Sequence, residues 1–139
     1  MPLVCDTGPL LAGLDRDDPD HARCAQLLTE APEDLVVPTL VLAELGYWCR
    51  KLRLDGAWLA FLAGAWRIEH PNAVDLRRAR ALQAQDRDFD LGVVDASVLA
   101  LVERLGEPKV TTLDHRTSPP SASTTSPRSP CFRDASMRV

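Results

Sequence analysis

No apolar run in the 139-residue sequence approaches the roughly 18 to 20 residues that a membrane-spanning helix needs, which excludes a transmembrane role. The segment Met1-Pro2-Leu3-Val4-Cys5-Asp6 carries no positive charge and meets an acid before an apolar stretch can develop. A secretory signal is therefore not expected, and the protein is read as cytoplasmic. Cysteine is sparse and scattered: Cys5, Cys24, Cys49 and Cys131 form no C-x-x-C pair, so neither a zinc site nor a redox motif is suggested. They read as reduced, mostly buried small hydrophobes. His21, His70 and His115 lack ligand spacing and read as surface or packing residues. Positive charge is also scarce: the net charge is −4 and the pI about 5.3. That argues against non-specific duplex binding, which needs clustered Lys and Arg against the phosphates. A nuclease is still compatible, because divalent metals reverse the sign of charge at an acidic site.

What is present suits one globular unit, with 45% hydrophobic residues and a length typical of a single domain. The composition breaks near residue 115. Residues 1–114 hold 19 acids against 12 Lys and Arg, a net of −7, whereas His115 to Val139 contains six Ser, three Thr and four Pro in 25 positions. The division expected is a folded domain over 1–116 and a Ser/Pro/Thr-rich tail over 117–139 that is too apolar-poor to offset its ordering entropy. The abruptness of the break also raises an altered reading frame for the tail. Comparison of the gene's alternative frames tests that, and a tail with no better-patterned sibling frame sinks it.

Within 1–114, apolar strands alternate with amphipathic helices. Leu3-Val4-Cys5 reads as a buried strand ending at Asp6 and a turn-like Thr7-Gly8-Pro9. A helix is predicted from about Pro19 to Glu30, with Ala22, Ala25, Leu27 and Leu28 on one face. Leu35-Val36-Val37 is a second strand. Thr39 then caps a helix to about Arg53, with Leu42, Leu45, Trp48 and Cys49 on its apolar side. An apolar helix over Ala57 to Trp66, a short strand over 67–70, a polar helix from Asn72 to about Arg87 and a helix from Val94 to Leu105 closed by Gly106 follow. Lys109 to Leu113 forms the last strand of this part. Strands separated by helices of ten or more residues imply right-handed crossovers and a mostly parallel sheet. No internal repeat is present.

Ligands of open α/β sheets collect outside the carboxyl ends of the strands. Asp6 and Asp114 end the first and last of these strands, while Glu44 and Asp95 interrupt apolar helical stretches where a carboxylate needs a cation or donors. Each has a plain structural reading. Asp6 could cap the turn at Thr7-Gly8, Asp95 could answer a helix dipole, Glu44 could pair with Arg50, Lys51 or Arg53, and Asp114 could belong to a turn. Two strand-end acids and two intrahelical acids in a one-sheet domain are hard to explain as four separate caps.

Val4-Cys5-Asp6-Thr7-Gly8-Pro9-Leu10, Pro38-Thr39-Leu40-Val41-Leu42-Ala43-Glu44-Leu45, Leu91-Gly92-Val93-Val94-Asp95-Ala96-Ser97 and Val110-Thr111-Thr112-Leu113-Asp114 resemble, in order and spacing, the four acidic motifs of PIN-domain nucleases. The resemblance is strongest to the VapC-like toxins of type II toxin-antitoxin pairs and covers residues 3–114. It implies a three-layer α/β/α fold with a mostly parallel central sheet. It also implies a magnesium- or manganese-dependent endoribonuclease held inactive by a cognate VapB-like antitoxin, and a homodimer packed through the apolar 57–66 segment. Carried over residue by residue, Asp6, Glu44, Asp95 and Asp114 would hold the metal, with Asp6 and Asp95 as first choices for direct ligands. Thr7 and Thr112 would orient a carboxylate or a metal-bound water, or else are ordinary strand-end hydroxyls. Hard carboxylate oxygens suit such ions, and water attack on the phosphodiester needs no Ser, Cys or His nucleophile. Arg50, Lys51 and Arg53 are candidates for contact with the RNA backbone, as is the Arg77, Arg78 and Arg80 cluster, although both also read as solvated charged faces.

The sequence departs from the family after Asp114-His115-Arg116, where Ser and Pro replace the usual last strand. The final edge strand is therefore expected to be missing, leaving backbone donors exposed and the surroundings of Asp114 weakened. A second function stays open on that ground: a catalytically impaired PIN-like module that binds antitoxin without cleaving RNA. A phosphoaspartate hydrolase built on Asp6 is the weaker reading, because Gly8 stands where a second Asp is needed.

Overall fold

The computed structural model describes residues 2–85, 90–106, 109–111 and 132–134. Strand β1 (Leu3–Cys5) is wholly buried and leads at once into helix α1 (Thr7–Leu14). Helix α2 (His21–Glu30) precedes β2 (Leu35–Pro38), which runs directly into α3 (Thr39–Leu52). Helix α4 (Gly56–Leu62), strand β3 (Arg67–Glu69), helices α5 (Ala73–Gln85) and α6 (Val93–Leu105), and strands β4 (Lys109–Thr111) and β5 (Phe132–Asp134) complete the order. The sheet is arranged β3-β2-β1-β4-β5. Its first four members are parallel, and β5 is antiparallel to β4. This is the α/β class expected, with the parallel strands' carboxyl ends on one edge.

The core shows why the strands are so short and so apolar. Leu3, Val4, Val36 and Val37 are completely buried and meet Leu10 of α1 and Val41, Leu45 and Cys49 of α3. Those three α3 residues recur every four positions, so one stripe of the helix faces the sheet. A second cluster joins Ala79 and Leu82 of α5 to Ala96 and Ala100 of α6. No helix among the described residues is long and apolar enough to cross a membrane.

Several sequence expectations change. Thr7-Gly8-Pro9 is the first turn of α1 rather than a loop: a proline there loses no intrahelical bond, because first-turn amides have no helical acceptor. The α4 helix stops at Leu62, and Gly64 takes a left-handed φ of 73°. Trp66, read as part of that helix, is instead buried against the main core, as is Ala57. Trp48 points outward, and the α2 face turns on the buried Cys24 with Ala22 exposed.

The expectation of a missing edge strand is also corrected. Lys109, Val110 and Thr111 pair with Asp134, Arg133 and Phe132. Ladder bonds are made by the backbone, so a polar Ser/Pro-rich stretch can still deliver a short edge strand. Most of the 117–139 tail, together with Thr112 and Asp114, lies outside the described residues.

Candidate active site at the carboxyl edge of the sheet

The β1–α1 junction places the first acid. Asp6 has extended backbone angles (φ −87°, ψ 169°), caps α1 and accepts the Thr7 amide through Oδ1 at 2.7 Å. Its own amide donates to the Thr111 carbonyl at 3.1 Å, which joins the ends of β1 and β4. The structural reading of Asp6 as a cap is thus correct, but for a helix and not for a turn. Asp6 as a whole is only 8% exposed. The charge acts on its neighbour: burial first, and then the Asp6 charge, push the Cys5 thiol up to about 12. Cys5 is therefore a protonated, inert thiol at neutral pH.

Glu44 comes from the second turn of α3 and is half-buried. The Thr7 hydroxyl donates to its Oε2 at 2.6 Å. Among the described residues Glu44 makes no ion pair with Arg50, Lys51 or Arg53, so the salt-bridge reading of this acid is not met. Asp95 lies in the first turn of α6, where the helix dipole favours a carboxylate. One of its oxygens lies 3.7 Å from where a Cβ on Gly92 would stand, so the carboxylate lies back over the residue that starts the helix.

The structure therefore joins Asp6, Thr7 and Glu44 through α1, and sets Asp95 at the start of α6. Among the described residues no three His, Cys, Asp or Glu side chains form a metal-binding group by themselves. Asp114 and Thr112 are outside the described residues. The donor chemistry fits a hard divalent cation of the magnesium type, which takes one or two protein carboxylates and completes its shell with water and substrate.

The basic residues are elsewhere. Arg50 and Lys51 occupy the last turn of α3 and Arg53 ends it in a left-handed conformation (φ 55°). At 1.5 Å per residue they stand about 9 to 14 Å along the axis from Glu44. Arg50 and Arg53 line a cavity of about 520 Å³ with Trp58 and Asp55, and Lys51 lies 5.2 Å from the centre of the Tyr47 ring. Of the second cluster, Arg78 pairs with Glu103, while Arg77 and Arg80 are exposed on α5.

Sequence reasoning missed two polar arrangements. Asn72 and Asp75 cap α5 reciprocally, each side chain accepting from the other's amide at 2.9 Å, and Arg104 of α6 donates to both oxygens of the buried Asp75 and to Glu69. The N-x-x-D spacing was the available signal for the first half. Thr39 and His70, at the ends of β2 and β3, are hydrogen-bonded at 2.7 Å, which no sequence spacing announces.

Residues 3–118 match the family model of the PIN domain. Ribonuclease VapC26 of Mycobacterium tuberculosis is 31% identical over 118 residues, an alignment covering 82% of this chain and 87% of that protein. Among solved structures, the fold is shared with VapC20 of Mycobacterium tuberculosis, a sarcin-ricin loop cleaving toxin (TM-score 0.67, 21% identity, 75% of this chain and 83% of that one). It is shared as well with a toxin-antitoxin complex from Klebsiella pneumoniae (TM-score 0.61, 18% identity, 81% and 86% covered). The acid-bearing strand ends, the parallel sheet and these matches lead to one conclusion: the chain belongs to the PIN-domain family.

Proposed function

We propose that this protein is a VapC-type toxin: a magnesium- or manganese-dependent endoribonuclease that hydrolyses RNA phosphodiester bonds in the cytoplasm and is neutralised by a cognate antitoxin. The observation that supports the reading is the bond to Glu44 of α3 from Thr7, the residue after Asp6 at the β1–α1 junction, on the edge where such sheets bind ligands. Asp6, Glu44, Asp95 and Asp114 would hold the metal. When bound, the ion lowers the pKa of a water and neutralises charge on the phosphate.

The chain's own residues provide the positioning. Thr7 fixes one oxygen of Glu44 and leaves the other available. The Asp6 amide, held by the Thr111 carbonyl, keeps the first acid beside the end of β4, three residues before Asp114. Gly92 leaves open space over which the Asp95 carboxylate lies. Arg50, Lys51 and Arg53, about 9 to 14 Å along the α3 axis from Glu44, would hold the RNA backbone beside the acids.

A protein partner is supported by the outer face of α3 and α4, where Tyr47, Trp48, Leu52, Trp58, Leu59 and Leu62 are exposed. Such a surface suits the antitoxin and a second protomer. The alternative of an impaired binding module drew its support from a missing edge strand, and β5 removes that support.

Cleavage of a mixed RNA pool with magnesium or manganese tests the reading. Wild type should cleave, and Asp6→Asn, Asp95→Asn and EDTA should each abolish the activity. A folded wild type that leaves the pool intact would overturn it.

A further inference from the structure

The carboxyl edge of the sheet continues past the acids to β2 and β3. Pro38 of β2 stands opposite Glu69 of β3, and carrying the β1–β2 register on by two residues sets Asp6 at the same level. The three strand ends therefore lie in a row, with β3 two strand spacings, or roughly 10 Å, from Asp6. One or two nucleotides of an extended strand span that distance. Thr39 and His70 are the next residues out along β2 and β3, and His70 is exposed.

Thr39 Oγ1 is 3.1 Å from the Glu69 carbonyl and 2.7 Å from His70 Nδ1. A hydroxyl has one proton and the carbonyl can only accept, so both contacts are satisfied together only when Thr39 donates to Glu69 and Nδ1–H donates to Thr39. That assigns the proton of a neutral imidazole to Nδ1 and makes Nε2 an acceptor. Nε2 forms no hydrogen bond among the described residues. The charged neighbours are Arg104, which donates to the His70 carbonyl at 3.4 Å, and Glu69, which Arg104 holds at 3.1 Å.

An acceptor in that place selects a donor on the substrate. Phosphate oxygens only accept, whereas the ribose 2′-hydroxyl donates and is the group that distinguishes RNA from DNA. We propose that His70 accepts a hydrogen bond at Nε2 from the 2′-hydroxyl of a nucleotide beside the scissile bond, making this edge selective for RNA. The inference rests on the ribonuclease reading and adds a specificity-determining residue to it. Thr39 acts through His70 as a positioning residue.

The test uses a cleavable RNA and a set of the same sequence carrying one 2′-deoxynucleotide at each position around the cut. In wild type, one flanking substitution should lower kcat/KM about five- to tenfold, the worth of one hydrogen bond. In His70→Asn the amide keeps the bond to Thr39 but has nothing at the Nε2 position, so the RNA is cut more slowly and the deoxy substitution has no further effect. His70→Gln, whose amide oxygen reaches toward the Nε2 position, should restore part of the discrimination, with Tm unchanged in both variants. A wild type indifferent to every deoxy position away from the cut, or a deoxy penalty that persists in His70→Asn, overturns the proposal. Affinity for the same oligonucleotides, read by fluorescence anisotropy with calcium, separates it from the ribonuclease reading. If wild type does not cut, that reading falls, and loss of the RNA-over-deoxy preference in His70→Asn still decides the role of His70.

Discussion

Thr7 donates to Glu44 at 2.6 Å, so the first turn of α1 holds a carboxylate that belongs to the second turn of α3. The bond spans 37 residues and involves a side chain only 8% exposed. Removing the hydroxyl frees Glu44 without removing any acid. Thr7→Val should therefore lower kcat by about 10- to 100-fold, the usual cost of losing a group that orients a metal-binding carboxylate. Thr7→Ser should retain most of the activity, and steady-state cleavage with thermal melts of both variants checks the pair.

Cys5 reports on its surroundings through pH. Burial and the Asp6 charge push its thiol up to about 12, from an ordinary value of 9.0. Below pH 9 both folded and unfolded chains carry the protonated thiol, and its contribution to stability is complete. Between pH 9 and 12 the unfolded chain ionises first, so stability falls as pH rises. Urea midpoints across that window should decline less in Cys5→Ala than in wild type. At neutral pH, iodoacetamide should leave Cys5 unmodified in the native protein, as peptide mass spectrometry would show.

The acids and the alternation of strands with helices were legible because both are local. A short apolar run ending in Asp6, and an acid inside Leu42-Ala43-Glu44-Leu45, need no tertiary knowledge to stand out. The α1 helix was hidden by Gly8-Pro9, a pair that ordinarily breaks structure but is harmless in a first turn. The β5 strand was hidden by composition, since Phe132-Arg133-Asp134 has no alternation to betray it and pairs through its backbone. Arg50 and Arg53 follow Glu44 closely in sequence, yet the helix sets them two turns or so further on, where they line a cavity with Trp58 and Asp55. The Thr39–His70 pair depends on register between strands separated by two helices, which no linear pattern contains.

Arg104 should matter to stability more than to chemistry. Its Nε is 2.9 Å from both oxygens of Asp75, a carboxylate 2% exposed, and its Nη2 reaches Glu69 at 3.1 Å. Arg104→Leu would leave Asp75 buried with the Asn72 amide as its one remaining donor among the described residues. A cost of about 2 to 3 kcal/mol is expected, mostly from the stranded charge. Urea denaturation measures it. Arg104→Leu combined with Asp75→Asn should recover part of the loss, because the uncompensated charge is then gone.

The antiparallel partner of β4 makes the last prediction specific. With β5 in place, the parallel strands end in a paired ladder at Lys109–Thr111, next to the bond from the Asp6 amide to the Thr111 carbonyl. A chain shortened to end at Arg128 would expose that ladder's donors and acceptors, the condition under which sheet edges associate. The truncated protein should show a lower Tm and concentration-dependent association by light scattering. RNA cleavage should fall with it, because the β4 end that positions Asp6 loses its outer support. If the shortened chain melts and cleaves as the full chain does, β5 contributes nothing to the site, and the acid arrangement depends on β1 to β4 alone.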